Sequence, residues 1–192
     1  MHIVNYPHPT LRHKSKAIRR VDAELKKIVR QMFELMYEAN GLGLAANQVD
    51  LPLRMFVVNL ESDPAQGDEM VFINPVVSMP KGTEEAEEGC LSLPGLYGQV
   101  TRPERINVTS YSINGDEFVA ELDGLLARVV QHETDHLDGI LFTDRLTETG
   151  KLQVRPEMEK FEREFAYDRE HGTIPSDKEV ARRLVEMEQR YC

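Results

Sequence analysis

The stretch "GLLARVVQHETDHLDG", residues 124–139, constrains this chain more than any other. Asp123 can cap a helix from about Gly124 to Asp138, and Gly139 can close it. On such a helix His132 and His136 lie four positions apart and share a face. Two imidazoles in that relation can hold one metal ion, with Glu133 turned toward water at the site. Leu125 and Val129 continue the stripe along the same face, so the histidine pair is expected at the edge of an apolar core, where a metal site is shielded. Taken alone, the pattern also suits two surface histidines on an ordinary helix.

A helical pair supplies only two ligands, whereas a catalytic site of the zinc type has three protein ligands and an open position. After His136 comes "LDGILFTDR", without the third histidine of the extended metalloprotease motif. Glutamates nearer the C-terminus are one source of a third ligand. Cys90, in "EEAEEGCLSLPG" (84–95), is more distinctive. The chain has two cysteines, and the other, Cys192, is its last residue. Sulfur is a strong, soft metal ligand, and Gly89 lets the backbone come close. The plainer reading is that Cys90 packs as a small hydrophobe.

The totals exclude several classes. The 192 residues suit one domain with a full core. Two cysteines do not make a disulfide framework, so a reducing cytoplasm is the expected compartment. The start "MHIVNYPHPTLRHKSK" lacks the apolar segment of a signal peptide, and no apolar run reaches the length of a membrane span. Net charge is −10, and residues 1–150 carry 14 basic against 23 acidic side chains, so no broad basic surface offers itself to nucleic acid. The remaining 42 residues are nearly balanced, with 9 basic and 10 acidic. The acids Glu84, Glu85, Glu87 and Glu88 read as a solvated strand or loop, with Glu88 set apart by its nearness to the thiol.

Periodicity predicts an α+β order. Asp22 can cap a helix to about Asn40, with Leu25, Ile28, Val29, Met32, Leu35, Met36 and Ala39 at helical spacing and Gly41 as its stop. Strand-like runs follow at 54–60, 70–75, 76–79 and 105–113. "NG" at 114–115 signals a hairpin into "DEFVAEL". Beyond Thr149, two amphipathic helices are expected, one from Pro156 and one capped by Ser176 with Glu179, separated by "HGTIP". The segment "GLGLAANQ" (41–48) lacks the third glycine of a dinucleotide loop and the Lys-Ser/Thr of a P-loop. It reads either as a small-residue strand edge along which a peptide can lie, ending in the Gln48 amide, or as a tight turn with buried alanines.

Three segments together, "GLGLAANQ", "EGCLS" (88–92) and "QHETDHLDG" (131–139), resemble the peptide deformylase family, as does the opening "YPHPTLR". The resemblance covers about residues 3–147. It implies antiparallel sheets around the helix that carries the two histidines, as a catalytic domain over 1–147, with 148–192 as a helical C-terminal extension rather than an independent domain. It implies hydrolysis of the formyl group from N-formylmethionyl nascent peptides, releasing formate. Cys90, His132 and His136 are the implied metal ligands, for iron(II) foremost and zinc, nickel or cobalt as alternatives. Glu133 is the implied proton carrier, and Gln48 with the Leu91 N–H the oxyanion site. Leu42, Gly43, Glu88, Gly89 and Val129 are implied at the substrate, with Arg102 as the partner of Glu88. Tyr97 stands where some bacterial members have arginine, so outer substrate contacts are expected to differ. A C-terminal helix docks on the ribosome in some members; the balanced tail argues little for it here, and a homo-oligomer through the extension is the other expectation. Two rival readings are a peptidase-like metallohydrolase and a non-catalytic metal binder; the presence of both Glu133 and Gln48 favours an enzyme over the second.

Overall fold

The computed structural model describes all 192 residues. Helix α1 (Ala23–Glu38) forms as expected, with Asp22 accepting the Leu25 N–H at 2.9 Å. Its stop is Asn40, which takes the left-handed conformation at φ 54°. Asparagine tolerates that region better than most residues. Gly41 answers a different need: a Cβ there would meet the Leu91 side chain at 2.6 Å.

Seven strands follow: β1 (Gly43–Ala45), β2 (Met55–Val58), β3 (Met70–Lys81), β4 (Glu84–Cys90), β5 (Leu93–Arg102), β6 (Arg105–Tyr111) and β7 (Glu117–Asp123). They form an antiparallel five-stranded sheet, ordered β1-β2-β3-β6-β7, and a separate antiparallel pair, β4-β5. The runs 70–75 and 76–79 are one strand, not two, with its register broken between Ile73 and Val76. Asn74 sits in that break at φ 53°, and its side chain bonds both the N–H and the carbonyl of Ile18 at 2.8 Å. The "NG" hairpin lies between β6 and β7, with Gly115 at φ 88°. Strand β5 is not among the runs expected from the sequence. It forms because Leu93, Leu96 and Val100 bury one face of the pair.

The large sheet is covered differently on its two faces. Met55, Val57 and Ile73 meet α1, through Leu25, Val29, Met32 and Met36. Phe56, Val58, Phe72, Ile106 and Val108 meet α2 (Gly124–Leu137), through Ala127, Val129 and Val130. Strand β2 is therefore buried on both sides, which is why its sequence is a continuous apolar run. Asp123 occupies the cap of α2 in extended backbone but makes no side-chain capping bond. Gly139 ends the helix at φ 75°. Leu125, expected in the apolar stripe, is half exposed at the rim of a cavity. A third core lies on the other side of α2, where Leu93, Leu96 and Val100 pack with Leu141, Phe142 and Leu146.

The first helix of the extension begins earlier than Pro156. Helix α3 (Glu148–Glu170) is capped by Thr147, whose hydroxyl accepts the Gly150 N–H at 3.1 Å. Pro156 sits inside it on the exposed side, where water can meet the carbonyl that loses its helical partner. Helix α4 (Asp177–Tyr191) opens with the expected Ser176–Glu179 capping box. It folds back on the body: Val180, Leu184 and Tyr191 are buried, and Tyr191 joins the same core as α1. Glu188 accepts from Lys16 at 2.7 Å and lies 2.8 Å from His13, while Arg183 pairs with Asp50. No helix is long and apolar enough to cross a membrane.

Candidate active site and metal centre

Strand β4 ends at Cys90 and α2 carries His132 and His136, so two separate elements meet at one point. The sulfur of Cys90 and one ring nitrogen from each histidine all lie within 4.8 Å of one another. Cys90 Sγ is 3.2 Å from His136 Nε2. The two imidazoles, one turn apart, have ring centroids 5.0 Å apart.

Glu88 orients one of these rings. Its Oε2 lies 3.0 Å from His132 Nδ1, which leaves Nε2 to face the cluster. The same carboxylate accepts from Arg102 at 2.6 and 2.9 Å and from Arg128 at 2.8 Å. Burial works against the Glu88 anion, but the bonds from His132 and Arg102 outweigh it and hold its pKa far below the ordinary carboxylate range. Its carboxylate is thus bonded to His132, Arg102 and Arg128 at the border of the cavity. Arg102 also bonds Asp135 at 2.7 Å, and Asp135 pairs with Arg145.

The surroundings act in opposite directions on the two imidazoles. Burial resists an imidazolium at His132, yet contacts with Cys90 and Glu88 and the charge of Glu133 push its pKa up to about 10. His136, buried and repelled by His132 and Arg102, is driven well below its ordinary value, toward the neutral form that binds metals. One sulfur and two imidazoles, with no fourth protein donor in the group, match a three-ligand site with an open position.

Glu133 adjoins this cluster. Its carboxyl is buried, and Oε2 has no hydrogen-bond partner. Burial raises its pKa to about 7, partly opposed by His132 and Arg102. Gly43 makes room for it: a Cβ there would sit 2.6 Å from Glu133 Oε1. Gln48 is fixed by accepting the Ala45 N–H at 2.8 Å, and its Nε2 points to Cys90 Sγ (3.4 Å) and Ser92 Oγ (3.3 Å). The small-residue edge expected at 41–48 is β1 followed by a short 3-10 turn carrying Gln48.

A cavity of about 570 Å³ opens onto these groups, bordered by Leu42, Leu91, Leu96, Tyr97, Leu125 and Val129 among others. Gly43, Gln48, Glu88, Gly89, Cys90, His132 and Glu133 also reach it. At Gly89 a Cβ would meet the Tyr97 ring at 2.7 Å, so the tyrosine covers that glycine. Every site residue expected from the sequence except His136 and Arg102 therefore borders one cavity; those two are buried, with 1% and 3% of their surface exposed. Sequence reasoning missed Arg128, Asp135 and Ser92. Arg128 had a signal: a cation in the apolar run "LLARVVQ", one helical turn before His132, needs a buried counter-charge.

Comparison with known proteins identifies the family. The polypeptide deformylase family profile matches residues 1–152. The chain is similar to peptide deformylase from Rhodopirellula baltica, 48% identical over 189 residues, covering 98% of this chain and 94% of that protein. It also resembles the crystal structure of Arabidopsis thaliana peptide deformylase 1B (TM-score 0.84, 40% identity, 92% of this chain and 97% of that one). For peptide deformylase from Thermus thermophilus the TM-score is 0.78 at 41% identity, over 85% and 99% of the two chains. The chain belongs to the peptide deformylase family, metal-dependent hydrolases that release formate from N-formylmethionyl peptides.

Proposed function

We propose that Cys90, His132 and His136 hold one divalent metal ion and that Glu133, Gln48 and the Leu91 N–H carry out deformylation beside it. The observation that supports this most is the meeting of the three donors within 4.8 Å next to a buried carboxyl with an unpartnered oxygen. Iron(II) is the ion we assign, with zinc, nickel and cobalt suited to the same sulfur and imidazole donors. Such an ion supplies Lewis acidity, polarising the formyl carbonyl and making water easier to deprotonate.

The chain's own residues do the rest. Glu133 takes the proton from the water that attacks the formyl carbon, and its pKa of about 7 suits that task near neutrality. Gln48 Nε2 and the Leu91 N–H donate to the oxygen that gains charge as the tetrahedral carbon forms. Glu133 then passes its proton to the departing nitrogen, the C–N bond breaks, and formate and a free amine leave. Leu42, Val129 and the side chain of Leu91 provide the apolar wall for the methionine side chain. Gly43 and Gly89 let the peptide backbone approach. Glu88 serves by holding His132 rather than by touching substrate.

The domain division at about residue 147 is part of the same reading: 148–192 acts as a brace, with α4 docked on the body. Of this extension, α3 keeps the exposed apolar side chains Leu152 and Tyr167, the surface a ribosome or a second copy would meet. Substrate arrives as a nascent chain, and the compartment we assign is a reducing cytoplasm, where Cys90 stays free.

The test is Cys90→Ala. Metal content and formate release should be lost together in a protein that still folds. Full metal content in that variant would overturn the ligand assignment.

A further inference from the structure

We infer that Arg128 is a positioning residue that fixes Cys90 relative to the two histidines; this rests on the ligand assignment proposed above. The three donors come from two bodies. Cys90 closes β4, and the β4-β5 pair shares no strand ladder with the five-stranded sheet. The histidines belong to α2, which is packed against that larger sheet. Residues 82–83 and 103–104 join the pair to β3 and β6 at its Glu84–Arg102 end, so side-chain contacts help to set where the far end, with Cys90, lies.

Two arginines do so. Arg102, on β5, bonds Glu88 on its own strand pair and reaches across to Asp135 of α2 at 2.7 Å. Arg128 crosses in the opposite direction, from α2 to the pair. Its Nη1 donates to Glu88 Oε1 (2.8 Å) and to the Val100 carbonyl (3.0 Å); its Nη2 donates to the Glu84 carbonyl (2.9 Å). One planar guanidinium thus grips β4 at two points and β5 at one. The other contacts across this seam, Arg102 to Asp135, His132 to Glu88 and Gln48 to Ser92, each join it through one bond, whereas Arg128, one helical turn before His132, takes hold of both strands at once.

Glu88 joins the two arginines to the metal ligands. It lies two residues before Cys90 and bonds His132 directly. Its oxygens offer about four lone-pair positions, and four donors fill them: two from Arg102, one from Arg128 and one from His132. Removing the guanidinium frees one acceptor on Glu88 and takes the donor from two backbone carbonyls. The pair can then swing and carry Cys90 away from the imidazoles. Lysine keeps the charge but not the fork, so it restores only part of the hold.

The experiment uses the full chain loaded with cobalt(II). Arg128→Met, Arg128→Lys and Val180→Ala are compared with the parent by cobalt release to a chelator and by the sulfur-to-cobalt absorption band. Arg128→Met is expected to release cobalt about 10-fold faster or more, the usual scale for losing support behind a metal ligand, with a weakened band. Arg128→Lys should fall between it and the parent. Val180→Ala, buried on α4 away from the site, should lower thermal stability and leave both cobalt readouts unchanged. Cobalt release and absorption within twofold of the parent in folded Arg128→Met would overturn the inference, as would an equal acceleration in Val180→Ala. If Arg128→Met does not fold, Arg128→Lys decides on the same two readouts. Full cobalt binding by Cys90→Ala would bring down the ligand assignment, and this inference with it, whereas parent-like Arg128→Met beside metal-free Cys90→Ala defeats the inference alone.

Discussion

Charged side chains hold a helix to the body in two places, and the two are built differently. Between α2 and the β4-β5 pair, Glu88, Arg102, Arg128 and Asp135 keep 10% or less of their side-chain surface. Between α4 and the N-terminal segment, Glu188 is buried but its partner Lys16 is 60% exposed, and Arg183, the partner of Asp50, is 42% exposed. The first group lies where geometry decides chemistry, beside three candidate metal ligands. The second surrounds a contact already secured by Val180, Leu184 and Tyr191. A buried network fixes directions because each member is left without water if its partner goes. Half-exposed pairs adjust and are screened.

The comparison breaks most visibly at Glu88. Glu88→Ala takes the shared counter-charge from buried Arg102 and Arg128, leaving Arg102 with Asp135 alone and Arg128 mainly with backbone carbonyls, and removing one member of a buried pair typically costs about 3–5 kcal/mol. Urea unfolding of the metal-free protein measures this. Glu188→Ala should cost within about 1 kcal/mol in the same assay, because its partners can turn to water. Equal losses would erase the distinction between the two regions.

Acid sharpens the contrast at Glu188 itself. Burial raises its pKa, but Lys16 and His13 outweigh that and leave it below the ordinary 4.5. A carboxyl with a depressed folded pKa stabilises fully above its unfolded value and loses that contribution as pH falls through the folded one. The tail contact should therefore be intact at neutral pH and weaken below about 4.5, with a smaller acid effect in Glu188→Ala. Amide exchange across 177–191 reads it. Unchanged acid dependence in the variant would assign the weakening to another group.

The smallest effect is expected at Tyr191. Its hydroxyl is buried without a partner, while the ring fills the first core. Tyr191→Phe removes an unmet polar group and keeps the packing, so stability should rise, by within about 1 kcal/mol. A clear loss would show that the hydroxyl has a partner after all.

What the sequence disclosed follows the same division. Local chemistry was readable: the Asp22 and Ser176 caps, the Gly115 turn, and the spacing of His132 and His136 each depend on residues within a few positions. Motifs brought Cys90, Gln48 and Glu133 to one site because the resemblance carried their meeting across the chain. Long-range balances were not readable. Strand β5 contains Pro94 and Gly95 and forms only because the third core lies beneath it. The start of α3 was placed too late because Pro156 looks like a helix beginning, whereas Thr147 supplies the actual cap. Arg128 stayed hidden because its value lies in partners 28 to 44 positions away.

The central claim is that Glu133 moves the proton in deformylation without holding the metal. The most direct measurement is formate release by Glu133→Gln under saturating N-formylmethionyl peptide, normalised to bound metal and set beside the parent. The substitution keeps shape and removes the base. Metal content and fold should be unchanged and turnover should drop by ~10² to 10⁴, the scale of a positioned proton carrier, with the loss in kcat rather than in peptide binding. Turnover within a few-fold of the parent, at full metal content, would contradict the account and remove Glu133 from the reaction.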